Sequence, residues 1–279
     1  MRPAMRPHDE VLTSRDNPLF KRLRALKRRA GAQEELLLIE GPRLLGEALD
    51  ARLRVLEAAV AASRLADPAL APLLARLAAA GVRPCAIKDR LLASLSEVET
   101  SQGVLALARR PALEADDAFS GTPLLLVGVG IQNPGNLGGL LRTAEAADAT
   151  GAWLTEGCAD PFSWKSLRGS MGSAFRLPQV RGLATEAILE RLRARGVALL
   201  ATDANGETRF DQADLRGPVA LVVGAEGAGL GAAVLDRAAR RLRIPLAPPV
   251  ESLNVTVAGA LVLYEAARQR GFPARGVAR

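Results

Sequence analysis

At 279 residues, 49% hydrophobic and 24% charged, the chain can bury one large core or two modest ones, which excludes a disordered or fibrous protein. A net charge of +7 favours polyanionic partners, while aromatics at 3% exclude a nucleic-acid surface built mainly on base stacking. Two widely separated cysteines, Cys85 and Cys158, and a single histidine, His8, leave no metal-ligand spacing and no disulfide framework.

Residues 1–14 are polar and predict a loose arm. From Asn17 to Arg29, apolar Leu19, Phe20, Leu23 and Leu26 alternate with cations at helical spacing, which predicts an amphipathic helix. Six cations fall between Lys21 and Arg29: Lys21, Arg22, Arg24, Lys27, Arg28 and Arg29. Such a run marks either a polyanion footprint or a solvated helix face. Further on, strands are predicted near residues 34–41, 55–61, 82–87 and 103–108, and helices over 42–51, 68–80 and 89–95, giving a small α/β domain over 15–112. Residues 113–121 are short and acidic and read as a linker. From 122 to 279 strands and helices alternate again. Strands are predicted at 124–128, 152–155, 198–201, 219–223 and 243–244. Helices are predicted at 136–148, 165–170, 185–195, 232–237 and 255–270. That alternation predicts a mostly parallel sheet covered on both faces. No apolar run reaches membrane-spanning length and the leader lacks a signal-peptide core, so a cytoplasmic, membrane-free protein is expected.

Three segments of the second half carry chemistry. The first, Asn133-Pro-Gly-Asn-Leu-Gly-Gly-Leu-Leu-Arg-Thr-Ala144, follows a strand and opens a helix, where free N–H groups can meet an anion. It lacks both the dinucleotide fingerprint and the Walker lysine, which excludes a Rossmann oxidoreductase or a P-loop enzyme. Taken alone, Asn136 reads more readily as a capping asparagine and Arg142 as a surface cation. The second, Leu221-Val-Val-Gly-Ala-Glu-Gly-Ala-Gly-Leu230, runs a strand into a glycine-rich turn carrying one acid, Glu226. Ligands of open α/β sheets bind at such strand ends, although a plain tight turn fits as well. The third runs from Ile244 through Glu251-Ser-Leu-Asn254 into an apolar helix. Ser252 there suits an N-cap, which leaves Asn254 unexplained.

In this order, the three segments resemble the SpoU (TrmH-type) branch of the SPOUT RNA methyltransferases. The matching features are N-x-G-x-x-x-R after Pro-Gly, G-x-E-G-x-G-L, and I-P followed by E-S-L-N-V. Asp160-Pro-Phe-Ser-Trp-Lys-Ser-Leu-Arg-Gly-Ser-Met-Gly172 is similar to the segment these proteins carry between the first two, and the likeness covers about residues 122–270. More loosely, Ser14-Arg-Asp-Asn-Pro-Leu19, Glu40-Gly-Pro-Arg43 and Gln102-Gly-Val104 resemble the ribosomal-protein L30e-like substrate-binding domain that many of them carry.

The resemblance implies a C-terminal α/β fold threaded into a deep trefoil knot, homodimeric through that domain, beside the smaller L30e-like α/β domain. It implies S-adenosyl-L-methionine as cofactor, held by Gly224, Ile244 and Leu253 with Thr202 as a further candidate, and no metal. The implied catalytic residues are Asn136, Arg142, Glu226, Ser252 and Asn254. Lys21, Arg22, Lys27, Arg28, Arg29 and Arg43 become candidates for gripping a structured RNA by its phosphates. The implied reaction is methyl transfer to a ribose 2′-hydroxyl, with 23S ribosomal RNA the preferred substrate. A transfer-RNA ribose methyltransferase and an inactive RNA-binding protein on the same fold are the alternatives.

Overall fold

The computed structural model describes residues 11–29, 35–96, 100–225, 227 and 229–272. The expectation for Glu226, and those for the side chains of Arg28 and Arg29, lie outside the described residues. Two compact units make up the chain, one from Met1–Pro111 with Phe162–Trp164, the other from Ala112–Pro161 with Lys165–Arg279.

The first unit contains helix α1 (Pro18–Arg29), strand β1 (Leu36–Glu40), α2 (Pro42–Asp50), β2 (Val55–Ala61), α3 (Ala71–Ala79), β3 (Cys85–Ile87), α4 (Asp89–Leu95) and β4 (Val104–Arg109). Its sheet runs β1-β4-β2-β3, antiparallel except for the parallel pair β2 and β3. Leu19, Phe20 and Leu23 bury the apolar stripe of α1 against Leu91, Leu92 and Leu95 of α4, as the helical spacing predicted. The polar leader predicts a loose arm through residue 14, but Leu12 is buried and bridges Ile87. Its N–H donates to the Ala86 carbonyl at 2.8 Å and its carbonyl accepts from Lys88 N–H at 2.9 Å. Two adjacent apolar residues, Val11 and Leu12, carry no period, so only the partner strand exposes the role of Leu12. The strand expected over 82–87 shrinks to β3, because Pro84 just ahead of it has no N–H for the ladder. Gly41, at φ 94°, lets the chain turn where a Cβ would sit 2.6 Å from the Gln102 side chain. The Glu40-Gly-Pro-Arg and Gln102-Gly-Val segments therefore lie side by side, joined by Gly41 N–H to the Val104 carbonyl at 2.9 Å.

The second unit contains β5 (Leu124–Val129), α5 (Pro134–Ala146), β6 (Gly151–Thr155), all but the first residue of α6 (Trp164–Ser170), α7 (Ser173–Arg176), β7 (Gln179–Leu183), α8 (Thr185–Ala194), β8 (Ala198–Thr202), β9 (Thr208–Arg209), β10 (Val219–Gly224), α9 (Ala232–Leu235), β11 (Arg240–Arg243) and α10 (Val255–Gln269). Its seven strands lie in the order β7-β6-β5-β10-β8-β11-β9, and every pairing is parallel. The apolar runs of β5 and β10 are buried on both faces, as a parallel sheet requires. From β5 the chain runs outward through β6 to β7, then crosses to β8 on the far side of β10. The direction of winding thus reverses between β5 and β10. Several elements depart from expectation. The strands β7 and β9 and the four-residue helix α7 carry no clear sequence signal, the helix expected over 232–237 ends at Leu235, and the strand expected at 243–244 ends at Arg243, leaving Ile244 in the irregular stretch before α10.

Candidate active site

A reversal of winding opens a crevice at the carboxyl ends of the two strands that flank it. Here those ends are Val129 of β5 and Gly224 of β10, paired in register. The loop after β5 starts at Gly130, with φ 63°, and is held from below by two side chains. Gly130 N–H donates to Thr155 Oγ1 at 3.1 Å, and Ile131 N–H donates to Cys158 Sγ at 3.2 Å. The Cys158 thiol in turn donates to the Gly128 carbonyl at 3.3 Å. Opposite, the turn after β10 folds tightly on itself: Gly229 N–H donates to the Ala225 carbonyl at 3.0 Å. A Cβ on Gly224 would lie 2.3 Å from the Gly229 carbonyl, so only glycine fits there.

Helix α5 begins one residue after Asn133, whose Oδ1 accepts from Gly135 N–H at 2.8 Å and Asn136 N–H at 3.3 Å. Asn133 is therefore the cap, worth about 1 kcal/mol to a helix, and Asn136 is released for another use. Its Oδ1 accepts from Asn254 Nδ2 at 3.2 Å, 118 residues away in sequence. Asn254 also caps α10, its Oδ1 accepting from Thr256 N–H at 2.9 Å. Ser252 is accordingly not the cap of α10 and stands exposed two residues earlier. Cap position depends on where the chain enters the first turn, and the proline-rich approach delays that entry beyond Ser252.

The structure thus joins Asn136 to Asn254 and leaves Arg142 apart. Six helical positions place Arg142 about 120° around α5 from Asn136 and about 9 Å along its axis. Arg142 is exposed and has no hydrogen-bond or ion-pair partner among the described residues. Of the expected cofactor residues, Thr202 and Gly224 end neighbouring strands β8 and β10, and Ile244 follows β11 on the other side of β8. The Thr202 hydroxyl donates to the Val222 carbonyl at 3.2 Å. Leu253 is half-buried immediately before Asn254. Sequence reasoning missed Thr155, Cys158, Asn133 and Thr256. Only Asn133 carried a usable signal, an asparagine directly before a proline at a helix start.

The comparisons decide what these strand ends belong to. Residues 123–264 match the SpoU rRNA Methylase family, and residues 17–106 match the MRM3-like substrate binding domain. The chain belongs to the SpoU rRNA methylase family.

An uncharacterised tRNA/rRNA methyltransferase of Synechocystis sp. is 37% identical, with 93% of this chain and 94% of that protein covered. The 23S rRNA (guanosine(2553)-2′-O)-methyltransferase RlmP of Bacillus subtilis is 34% identical over 66% of this chain and 72% of its own. Among solved structures, the SpoU methyltransferase AviRb of Streptomyces viridochromogenes, in complex with the cofactor AdoMet, superposes with a TM-score of 0.81. It is 29% identical, and the match covers 91% of this chain and 98% of that one. The strand ends of β5 and β10 therefore lie within the part of the chain that matches the SpoU rRNA Methylase family.

The cations of the substrate-binding unit are unequally available. Lys21 pairs with Asp16 at 3.0 Å, Arg22 Nε donates to Glu57 at 2.9 Å, and Lys27 Nζ donates to the Ser96 carbonyl at 2.8 Å. Each serves its own unit first. Arg24 and Arg43 are exposed and lack such partners among the described residues.

Proposed function

We propose that this SpoU methylase transfers a methyl group from S-adenosyl-L-methionine to a ribose 2′-hydroxyl of 23S ribosomal RNA, acting as a homodimer through its second unit. The observation that carries the reading is the Asn136–Asn254 hydrogen bond at 3.2 Å, which sets two amides side by side at the switch-point crevice. The 2′-O-methyltransferase activity of the Bacillus relative and the cofactor held by AviRb support it.

The chemistry of the donor set suits the cofactor. The ends of β10, β8 and β11 are adjacent and offer backbone N–H and carbonyl groups, while Gly224 has no side chain to block approach. Thr202, Gly224, Ile244 and Leu253 would hold it, mostly through main-chain contacts. The deep trefoil knot belongs to the same proposal as the chain path that brings these loops together. S-adenosylmethionine supplies an electrophilic methyl group on a sulfonium. The chain's own residues must then orient the ribose and relieve its hydroxyl of a proton, since a neutral hydroxyl is a weak nucleophile. Arg142 stays protonated in a protein, so it acts as a cation beside the oxygen and stabilises the developing alkoxide. Glu226 or a substrate phosphate takes the proton. Asn136, Ser252 and Asn254 orient the ribose, and such alignment can lower a barrier by as much as ~7–11 kcal/mol in ideal cases.

Arg142 stands about 120° around α5 from Asn136 and has no partner among the described residues, and in this reading the dimer completes the site. An apolar stripe on α10 fits that role: Val257, Leu261 and Tyr264 are 47%, 38% and 46% exposed at positions i, i+4 and i+7. In the substrate-binding unit, Arg24 and Arg43 and the Lys21–Arg29 run would grip RNA phosphates, which position the substrate without reading its sequence.

Incubating the purified protein with labelled S-adenosylmethionine and either 23S rRNA or bulk tRNA, then mapping ribose methylation, tests the reading. A single 2′-O-methyl site in 23S rRNA is expected. Label confined to tRNA would move the substrate, and binding of RNA without transfer would favour a non-catalytic protein.

A further inference from the structure

The motif that supplies Asn254 continues into Thr256, to which the reaction as described gives no part. Thr256 meets the first two turns of α5 through both branches of its side chain. Its hydroxyl donates to the Asn136 carbonyl at 3.1 Å. Its methyl Cγ2 lies 2.8 Å from the point a Cβ would occupy on Gly139. Meanwhile its own N–H donates to Asn254 Oδ1 at 2.9 Å, and Asn254 Nδ2 donates to Asn136 Oδ1 at 3.2 Å. Thr256 is thus bonded to the main chain of one asparagine and to the side chain of the other.

The chemistry explains why a threonine serves here. A β-branched side chain in a helix has few χ1 states, and threonine divides between two. The missing Cβ of Gly139 makes a notch for the methyl, and filling that notch leaves the hydroxyl aimed at Asn136. A carbonyl oxygen has two lone pairs, so it can take this bond together with its helical one. With its Oδ1 engaged by Asn254, Asn136 keeps its Nδ2 donors for a ligand.

We propose that Thr256 is a positioning residue for methyl transfer: its methyl in the Gly139 notch and its hydroxyl on the Asn136 carbonyl set the relative placement of Asn136 and Asn254. This rests on the functional reading above, in which those two amides orient the ribose. Valine keeps the methyl shape and loses the hydroxyl, whereas serine keeps the hydroxyl and loses the methyl.

The test uses the full chain with Thr256→Val, Thr256→Ser, Gly139→Ala and the double variant Gly139→Ala with Thr256→Ser. Readouts are kcat and RNA KM for methyl transfer, S-adenosylmethionine affinity by calorimetry, and the thermal midpoint. Thr256→Val should lower kcat about tenfold or more, the scale on which small misplacements act, with cofactor affinity and RNA KM held within about twofold. Thr256→Ser should keep about a third or more of the wild-type kcat, because its hydroxyl bond survives. Gly139→Ala should also lose kcat, since its new Cβ runs into the methyl. Adding Thr256→Ser should restore it, because the remaining Thr256 atoms stand 3.4 and 3.7 Å from that Cβ. The proposal is overturned if Thr256→Val keeps wild-type kcat, if kcat, cofactor affinity and thermal midpoint fall together, or if the double variant is not rescued. A wild-type protein that transfers no methyl to any RNA would overturn the functional reading and this role with it.

Discussion

Arg142 and Lys27 look alike in the sequence, two cations on helices, yet their surroundings in the structure differ. Lys27 donates to the Ser96 carbonyl at 2.8 Å and serves its own unit. Arg142 has no protein partner among the described residues, so its five donors stand ready for a ligand. Replacing Arg142 with alanine is expected to slow single-turnover methyl transfer about 10²–10³-fold, the cost of removing one donor aimed at developing negative charge. Calorimetric affinity for S-adenosylmethionine should change by less than about twofold, because the cofactor candidates sit on other elements. Equal loss of both would contradict the role. The same scale shows how legible the site was. Asn254 stood out because a serine two residues earlier offered the bland explanation and left it spare. Thr256 stood out for nothing, since a threonine near a helix start needs no reason until its neighbour across 120 positions is known.

Between elements, glycines decide how closely helices approach. A Cβ on Gly138 would lie 2.5 Å from the Ser166 carbonyl, 2.9 Å from Gly169 Cα and 3.0 Å from Ser170 N. All three are backbone atoms of α6, which cannot swing aside as a flexible side chain would. Gly138→Ala gains up to about 1 kcal/mol of helix propensity. Overpacking should outweigh that, for a net loss of about 1–3 kcal/mol and a thermal midpoint lower by several degrees. Gly217→Ala is the control: nothing lies within 4 Å of its Cβ position and its φ is not positive, so the midpoint should hold. A stable Gly138→Ala protein would mean that α5 and α6 can part without cost. Elements also mark where sequence reading stopped. The helices α1, α5 and α10 were plain because apolar residues recur along them at helical spacing, and the buried strands β5 and β10 because each is a short continuous apolar run. Strand β7 was not. Its residues are all half-buried or exposed, Gly182 takes φ 69°, and its register against β6 slips between Leu154 and Thr155, so no clean alternation survives. Two-residue β9 is shorter than any period.

For the whole molecule, the proposed dimer makes a prediction that no single chain can satisfy. If Arg142 of one subunit serves the asparagines of the other, then Arg142→Ala and Asn254→Ala proteins, each inactive alone, should complement when mixed and reassociated. Random pairing gives one intact site in half of the dimers, or about a quarter of the wild-type rate per subunit. No recovery, with heterodimers verified by differential tagging, would place Arg142 and Asn254 in the same subunit's site.

The sequence by itself determined the α/β character of both units, the parallel character of the second sheet and the three segments on which the proposed site is built. These follow from local periodicity and from residue types whose meaning travels with a short motif. The strand order β7-β6-β5-β10-β8-β11-β9, the transfer of the capping roles to Asn133 and Asn254, and the bond from Asn254 to Asn136 were decided only in the tertiary structure. Each depends on pairing between residues far apart in the chain. A hydrogen bond across 118 positions leaves no trace in the spacing of either partner.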